Sequence, residues 1–260
     1  MNYFLLRATL RHFFWAKFWN GHSVQSPFVY DFVRHVVSRK ANDDMVALNF
    51  ARGYRKSILA NNDIIDIKDL GTGHDRQERI SDIAKKSSIP DKCGRLLMRM
   101  VEHYKPYHIV ELGTSVGIST AYLAAHKIGV IFTIEGNKSS SEVAQNTLRE
   151  SKVDNVVFFN GDFDDCLSQM MDNIIAPNLF FVDGNHTYEA TMRYFNIIAQ
   201  KAVANKTIIV FDDIHWSAGM QRAWNEISAD DRVATSIDLL RMGVVFFRSG
   251  CPKEHYCVRW

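Results

Sequence analysis

Two acidic residues and a glycine-containing loop lie close together in the sequence near the middle of this 260-residue chain. An apolar strand ends at Glu111, a tight loop carries Gly113 and Gly117, and an apolar helix follows. The next predicted strand ends at Glu135, about 20 residues on, where an acid that binds a ribose is expected. Two carboxylates favour a molecule with an amine and a ribose, and they would repel a phosphate.

Carboxylates also follow the third, fourth and fifth predicted strands, and one histidine lies beside them in the sequence. These residues are Asp162, Asp183, His186, Asp212 and Asp213. Because parallel strands bind ligands at their carboxyl ends, we expect these side chains at one edge of a sheet. Neighbouring strands lie about 4.8 Å apart, so carboxylates at adjacent strand ends repel each other unless protons or a cation neutralise them.

The acids after the fourth and fifth strands predict a site for a divalent metal ion. Ligation by oxygen alone favours Mg²⁺, Ca²⁺ or Mn²⁺ over zinc. Such an ion would bind an acceptor hydroxyl, lower its pKa and orient it. His186, with an unperturbed pKa of about 6.5, can then take the proton as a general base.

Strands and helices alternate from residue 107 onward. The predicted strands are 108–112, 130–135, 155–160, 178–183, 206–211, 233–239 and 244–248. The predicted helices are 117–127, 139–151, 163–171, 187–203 and 216–227. This alternation is typical of a mostly parallel sheet with helices on both faces. Only Leu240–Gly243 separate the last two strands, so a hairpin joins them and the last strand runs antiparallel.

The first 100 residues are predicted to be mainly helical. Ser26-Pro27 starts one helix, residues 43–60 and 91–104 form two others, and 61–80 are a polar stretch predicted to contain a loop. Residues 3–19 are aromatic and basic, without the run of about 20 apolar residues that a membrane span needs. This segment is predicted to pack on the domain or on a second subunit, with peripheral membrane contact as the alternative.

Composition narrows the function classes. Lys and Arg number 31 against 29 Asp and Glu, a net charge of +2, which argues against a nucleic-acid partner. The four cysteines are Cys93, Cys166, Cys251 and Cys257. They show no CxxC pair or zinc spacing, so the sequence predicts idle thiols in a reducing cytoplasm.

The ordered set of loop and acids resembles the class I S-adenosylmethionine-dependent methyltransferases over roughly residues 95–250. The resemblance implies an α/β, Rossmann-like, doubly wound sheet of seven strands with an antiparallel last strand. Residues 1–100 would then be a lid or an oligomer interface, as in a homodimer, and residues 101–260 would be the methyltransferase domain of a cytoplasmic protein. The residues that would bind the cofactor are Glu111, Gly113, Thr114, Ser115, Gly117, Ser119, Glu135, Asp162 and Asp183.

The second half of the chain is similar to the metal-dependent O-methyltransferases, most closely to those that methylate sugar hydroxyls on antibiotics. By this resemblance, Asp183, Asp212 and Asp213 would bind Mg²⁺, and His186 with Asp183 would be catalytic. Catechol-type relatives have a lysine and an Asp-Asn pair instead. The departure favours a different hydroxyl acceptor on a small molecule, such as a sugar or polyol.

Several alternatives remain open at the level of sequence. Asp183, Asp212 and Asp213 would also suit helix caps, and His186 could be a histidine with a structural role in its loop. A methyltransferase without a metal, or a non-catalytic nucleotide-binding relative, would keep the same loop. Gly113-Thr-Ser115-Val-Gly117 also fits the nucleophile elbow of a hydrolase, with His215 or His255 as the base, although the helical residues upstream argue against that fold.

Overall fold

The computed structural model describes residues 9, 12, 16, 24–38, 43–67, 76–173 and 179–260. Most of the helix predicted at 3–19 therefore lies outside the described residues. The chain forms two compact units, a terminal unit of Met1–Ala41 with Leu167–Trp260 and a central unit of Asn42–Cys166. The sequence predicted a boundary at residue 100 between a helical region and a methyltransferase domain, and this boundary stays a prediction.

Nine α-helices have bounds that the described residues define. They are α1 Pro27–Phe32, continued by a π-helical turn at Val33–Val37, α2 Met45–Ala60, α3 Ile80–Ser87, α4 Asp91–Tyr104, α5 Ile118–Ala124, α6 Lys138–Glu150, α7 Phe163–Asn173, α8 Tyr188–Gln200 and α9 Ala218–Ala229. Among the described residues, no helix is long and apolar enough to span a membrane.

The strands form one large sheet and a separate two-stranded hairpin. They are β1 Ile64–Ile67, β2 Arg76–Arg79, β3 His108–Leu112, β4 Val130–Glu135, β5 Val156–Asn160, β6 Leu179–Val182, β7 Ile208–Phe211, β8 Thr235–Asp238, β9 Gly243–Phe246 and β10 Glu254–Cys257. The eight-stranded sheet has the order β10-β8-β9-β7-β6-β3-β4-β5. The predicted α/β class is confirmed.

Strand register brings the predicted site residues to common edges. In the central unit, β3 and β4 are parallel with Glu111 opposite Thr133, and β4 and β5 are parallel with Glu135 opposite Asn160. In the terminal unit, β6 and β7 are parallel with Val182 opposite Phe211, so the residues that follow leave the sheet side by side. Apolar, β-branched and aromatic residues fill these strands because both faces of a parallel sheet are covered.

Two parts of the architecture go beyond the sequence prediction. Strand β9 runs antiparallel to β7 and β8, as the hairpin predicted, but an eighth strand, β10, pairs in parallel with β8. Within the polar stretch 61–80, β1 and β2 pair antiparallel, and residues 68–75 between them lie outside the described residues. Isoleucines at 64, 65 and 67 supply the β propensity that the surrounding charges obscure.

Helix α2 anchors the core of the central unit. Asp44 caps it by accepting hydrogen bonds from the amides of Val46 and Ala47 at 2.8 and 3.3 Å. Its buried face includes Leu48 and Ile58 and packs in one apolar cluster with residues of α3, α4 and α5. The same helix carries a buried tyrosine that reaches the glycine loop.

Candidate functional site

The loop after β3 has a backbone that the glycines make possible. Gly113 and Gly117 have φ angles of 104° and 81°, in the left-handed region that favours glycine. A Cβ at Gly117 would lie 2.5 Å from Tyr54 Oη and 2.9 Å from Ala144 Cβ, so the close packing of α2 and α6 also requires glycine there. Tyr54 Oη donates to the carbonyl of Val116 at 2.9 Å and fixes the loop from α2.

The loop is joined directly to the acid at the end of β4. Ser115, with a φ of 46°, donates its backbone N–H to Glu135 Oε2 at 2.7 Å, and Asn137 donates its N–H to Oε1 at 2.8 Å. Burial raises the pKa of Glu135, while these backbone donors act in the opposite direction. Each carboxylate oxygen has two lone pairs, so both oxygens can still accept a hydrogen bond from a ribose hydroxyl.

Glu111 is fully buried at the base of this loop. Its Oε2 accepts hydrogen bonds from the hydroxyls of Thr120 and Thr133, each at 2.6 Å. Its Oε1 is buried and has no hydrogen-bond partner among the described residues. Burial raises the pKa of Glu111, and the charge of Glu135 adds to this effect. A buried carboxylate oxygen without a partner is costly, and a ligand amine is the kind of group that would satisfy it.

Three other predicted cofactor residues belong to the same central unit. Thr114 and Ser119 are buried, and Thr114 Oγ1 lies 2.5 Å from Thr133 Oγ1, which links it to Glu111. Asp162 is exposed after β5, and its Oδ1 accepts from the backbone N–H of Asp164 at 2.8 Å in the first turn of α7. Short contacts thus link Glu111 to Thr114 through Thr133, and Ser115 to Glu135. Asp162 lies after the next strand and accepts a hydrogen bond at the start of α7.

The contacts of Ser115 do not support a hydrolase. Its Oγ lies 2.8 Å from Ser87 Oγ, and among the described residues no histidine makes a hydrogen bond to it. His255 Nδ1 lies 2.8 Å from Ser236 Oγ. His215 contacts Gln221 Oε1 at 2.5 Å and Asp238 Oδ2 at 2.8 Å, so both of its ring nitrogens are engaged elsewhere.

In the terminal unit, Asp183 and His186 form a pair just after β6. His186 Nε2 lies 3.5 Å from Asp183 Oδ1, and the His186 side chain is 31% exposed. Helix α8 is capped by Thr187, whose hydroxyl accepts from the N–H of Ala190 at 3.4 Å. Because Thr187 supplies the cap, the position of Asp183 is not explained by capping.

The acids after β7 are bound by an arginine that the sequence did not point to. Arg241 lies in the turn between β8 and β9 and donates to Asp212 through Nε at 2.9 Å and Nη2 at 2.7 Å. Asp212 is completely buried, and Arg241 Nη2 also lies 3.5 Å from Asp213 Oδ2. Burial and the charge of Asp212 raise the pKa of Asp213. Ser217 caps α9, so neither aspartate has that role.

This arrangement does not fit the predicted Mg²⁺ site of Asp183, Asp212 and Asp213. The guanidinium of Arg241 engages both oxygens of Asp212. Among the described residues, these three carboxylates are not a group whose ligand atoms all lie within 4.8 Å of one another. The positive charge that the acids require comes from a side chain, so the divalent ion stays a prediction that this geometry does not favour.

Comparisons with known proteins agree with the loop geometry. The model of a family described as a methyltransferase domain matches residues 110–214, a span that contains every predicted cofactor and metal residue. No curated protein matches the chain.

Solved structures share the fold. One is an O-methyltransferase from Streptomyces achromogenes, involved in tomaymycin synthesis and in complex with SAM, with a TM-score of 0.56 and 21% identity over 85% of this chain and 95% of that chain. Another is an O-methyltransferase from Bacillus cereus in complex with SAH, with a TM-score of 0.56 and 17% identity over 84% of this chain and 97% of that chain. A third is the SAH-bound methyltransferase PaMTH1 from Podospora anserina, with a TM-score of 0.58 and 17% identity over 86% and 97% of the two chains. Residues 110–214 therefore match a methyltransferase domain, and the chain shares its fold with these solved methyltransferases.

Proposed function

We propose that the chain transfers a methyl group from S-adenosylmethionine to a hydroxyl of a small molecule. One observation supports binding of the cofactor. The amide of Ser115 donates a hydrogen bond to Glu135, and in the same loop region one oxygen of the buried Glu111 carboxylate has no partner among the described residues. Glu135 would bind the ribose hydroxyls and Glu111 the amine, while Gly113 and Gly117 keep the loop backbone accessible. When bound, the cofactor supplies a sulfonium methyl group that an oxygen nucleophile can attack.

The pair of Asp183 and His186 supports transfer to oxygen. With Nε2 of His186 directed at Asp183, a proton on Nε2 leaves the lone pair on Nδ1. Nδ1 would take the proton of the acceptor hydroxyl as the oxygen attacks. Asp183 would stabilise the imidazolium that forms and hold the ring in place.

We further propose that the three aspartates do not require a metal ion for this reaction. Arg241 already balances the charge of Asp212 and lies near Asp213. Its guanidinium supplies the positive charge that a metal ion would otherwise supply, through a bidentate contact with Asp212. We also propose that the acceptor is a sugar or polyol and that residues 1–100 form a lid or a subunit interface. A homodimer and a cytoplasmic location are further proposals.

The direct test is a transfer assay with labelled S-adenosylmethionine against a panel of sugars, polyols and phenols. We expect label in at least one hydroxyl compound, without added metal. Cofactor binding without transfer to any acceptor would favour a non-catalytic relative. Activity that chelation abolishes and that only Mg²⁺ or Mn²⁺ restores would overturn the metal-independent part and leave the methyl transfer intact.

A further inference from the structure

A histidine, an aspartate and a cysteine converge in the terminal unit, and none of the three has been assigned a part in methyl transfer. His12 Nδ1 lies 3.1 Å from Cys257 Sγ and 3.6 Å from Asp238 Oδ1. The three ligand atoms lie within 4.8 Å of one another. His12 and Asp238 are each only 8% exposed. These residues form what we call the His-Asp-Cys cluster.

Strand pairing fixes two members of the cluster. Asp238 is the last residue of β8 and Cys257 the last residue of β10, and the two are direct partners in the parallel register. Side chains of paired residues on neighbouring strands extend from the same face of a sheet, so the carboxylate and the thiol lie side by side. The register therefore places a half-buried thiol beside a buried carboxylate.

The orientation of His12 suits a metal ligand. Its Nε2 lies 3.1 Å from the backbone carbonyl of Val258, which can only accept a hydrogen bond. The proton therefore resides on Nε2, and Nδ1 presents its lone pair to Cys257 and Asp238. A histidine ligand typically donates its second ring N–H to a carbonyl or carboxylate in this way.

Asp238 is held by partners that leave it anionic. Its Oδ2 contacts His215 Nε2 at 2.8 Å, and its Oδ1 accepts from the backbone N–H of Leu240 at 2.8 Å. Burial raises the pKa of Asp238, but the hydrogen bond and charge of His215, with the Leu240 amide, lower it below its ordinary value. One lone pair of Oδ1 remains for an ion, because a carboxylate oxygen has two.

We propose that His12, Asp238 and Cys257 bind a Zn²⁺ ion. Nitrogen, oxygen and sulfur ligands suit zinc, whose bonds of about 2.0 to 2.3 Å in a tetrahedron place neighbouring ligand atoms about 3.3 to 3.7 Å apart. The distances of 3.1 and 3.6 Å need shifts of only a few tenths of an ångström. On binding, the thiol releases its proton to solvent and a Zn–S bond forms. Thiolate and carboxylate together neutralise the ion, and water takes the fourth position.

The site would connect distant parts of the chain. His12 and Cys257 are separated by 245 residues, and zinc would join the N-terminal segment to the last strand of the sheet. This proposal does not depend on the chemistry of methyl transfer, so its failure leaves that chemistry untouched.

The test is Co²⁺ and Zn²⁺ binding by the purified full-length chain after chelation and desalting. We expect one Co²⁺ ion per chain with a thiolate-to-cobalt charge-transfer band, displaced by Zn²⁺, and a higher melting temperature with Zn²⁺. Cys257→Ser should lose the band and His12→Gln should weaken binding. Cys251→Ser, which changes a cysteine outside the cluster, should keep the charge-transfer band and the affinity for the metal ion. Absence of the band in the unmodified chain, or a band that survives Cys257→Ser, would overturn the proposal.

Discussion

Arg241 makes a bidentate contact with the fully buried Asp212, with Nε to Oδ1 at 2.9 Å and Nη2 to Oδ2 at 2.7 Å. This relationship decides how the acids after β7 are neutralised, since the arginine supplies the charge that a divalent ion was predicted to supply. It also makes the stability of the fold depend on a residue in the turn between β8 and β9.

Replacement of Arg241 by Gln should destabilise the protein strongly. The change leaves Asp212 buried without its charged partner, which typically costs about 3 kcal/mol of unfolding free energy. Urea unfolding measures the effect. Arg222→Gln is the matched control, because its contact with Glu226 Oε1 at 2.9 Å is exposed to solvent and should contribute much less to stability. Equal losses in the two variants would refute the role assigned to Arg241.

Gly117→Ala should disturb the glycine loop to which we assign cofactor binding. The φ of 81° and the 2.5 Å approach of Tyr54 Oη leave no room for a methyl group, so the loop must move. We expect at least about a tenfold loss of affinity for S-adenosylhomocysteine, or 1.4 kcal/mol. Gly53→Ala in α2 is the control, since nothing lies within 4 Å of its added Cβ, and it should keep full affinity. Unchanged affinity in Gly117→Ala would contradict the loop geometry.

The buried Glu111 predicts a particular pH dependence. Burial raises its pKa in the folded state above the ordinary 4.5, so the folded state binds the proton more tightly than the unfolded state. The favourable contribution is complete below the unfolded pKa and is lost as the pH rises through the folded value. Relative to Glu111→Gln, the cofactor-free protein should therefore lose stability as the pH rises above about 4.5. A stability difference that does not vary between pH 4 and pH 8 would count against this assignment.

Substitution of His186 should separate catalysis from cofactor binding. A general base typically contributes about 10² to 10⁴ in rate, so His186→Ala should lower kcat by that order and leave the affinity for S-adenosylhomocysteine unchanged. Asp183→Asn should lower kcat in the same direction. His103→Ala, at an exposed position on α4, is the control and should have full activity. If His186→Ala retains full kcat with an identified acceptor, the base lies elsewhere.

The local patterns of the sequence were sufficient for seven of the eight strands of the large sheet and for the glycine loop. Strand β6, for example, consists of four buried apolar residues, and such runs are visible in the sequence. The acids that follow these strands, such as Asp183 and Asp212, are equally visible. The glycine loop was equally local, since Gly113, Gly117 and Glu135 lie at offsets that predict a cofactor site.

The parts that could not be predicted depend on distant pairs. Arg241 binds Asp212 from 29 residues away, and His12 meets Cys257 across 245 residues, so no periodicity signals either contact. Strand β10 has the sequence Glu-His-Tyr-Cys with only one buried residue, so no apolar pattern reveals it in the sequence. Tyr54 was one aromatic residue on a helical face, and only the fold shows that its hydroxyl holds Val116.

Isothermal titration calorimetry with S-adenosylmethionine tests the central claim most directly. The unmodified chain should bind one molecule, and Glu135→Ala should weaken binding by at least about tenfold, because the ribose hydroxyls lose their acceptor and Ser115 loses its partner. Glu142→Ala, in an exposed pair with Lys138 on α6, should bind normally. Absence of binding to the unmodified chain, or equal affinity in Glu135→Ala, would contradict the account.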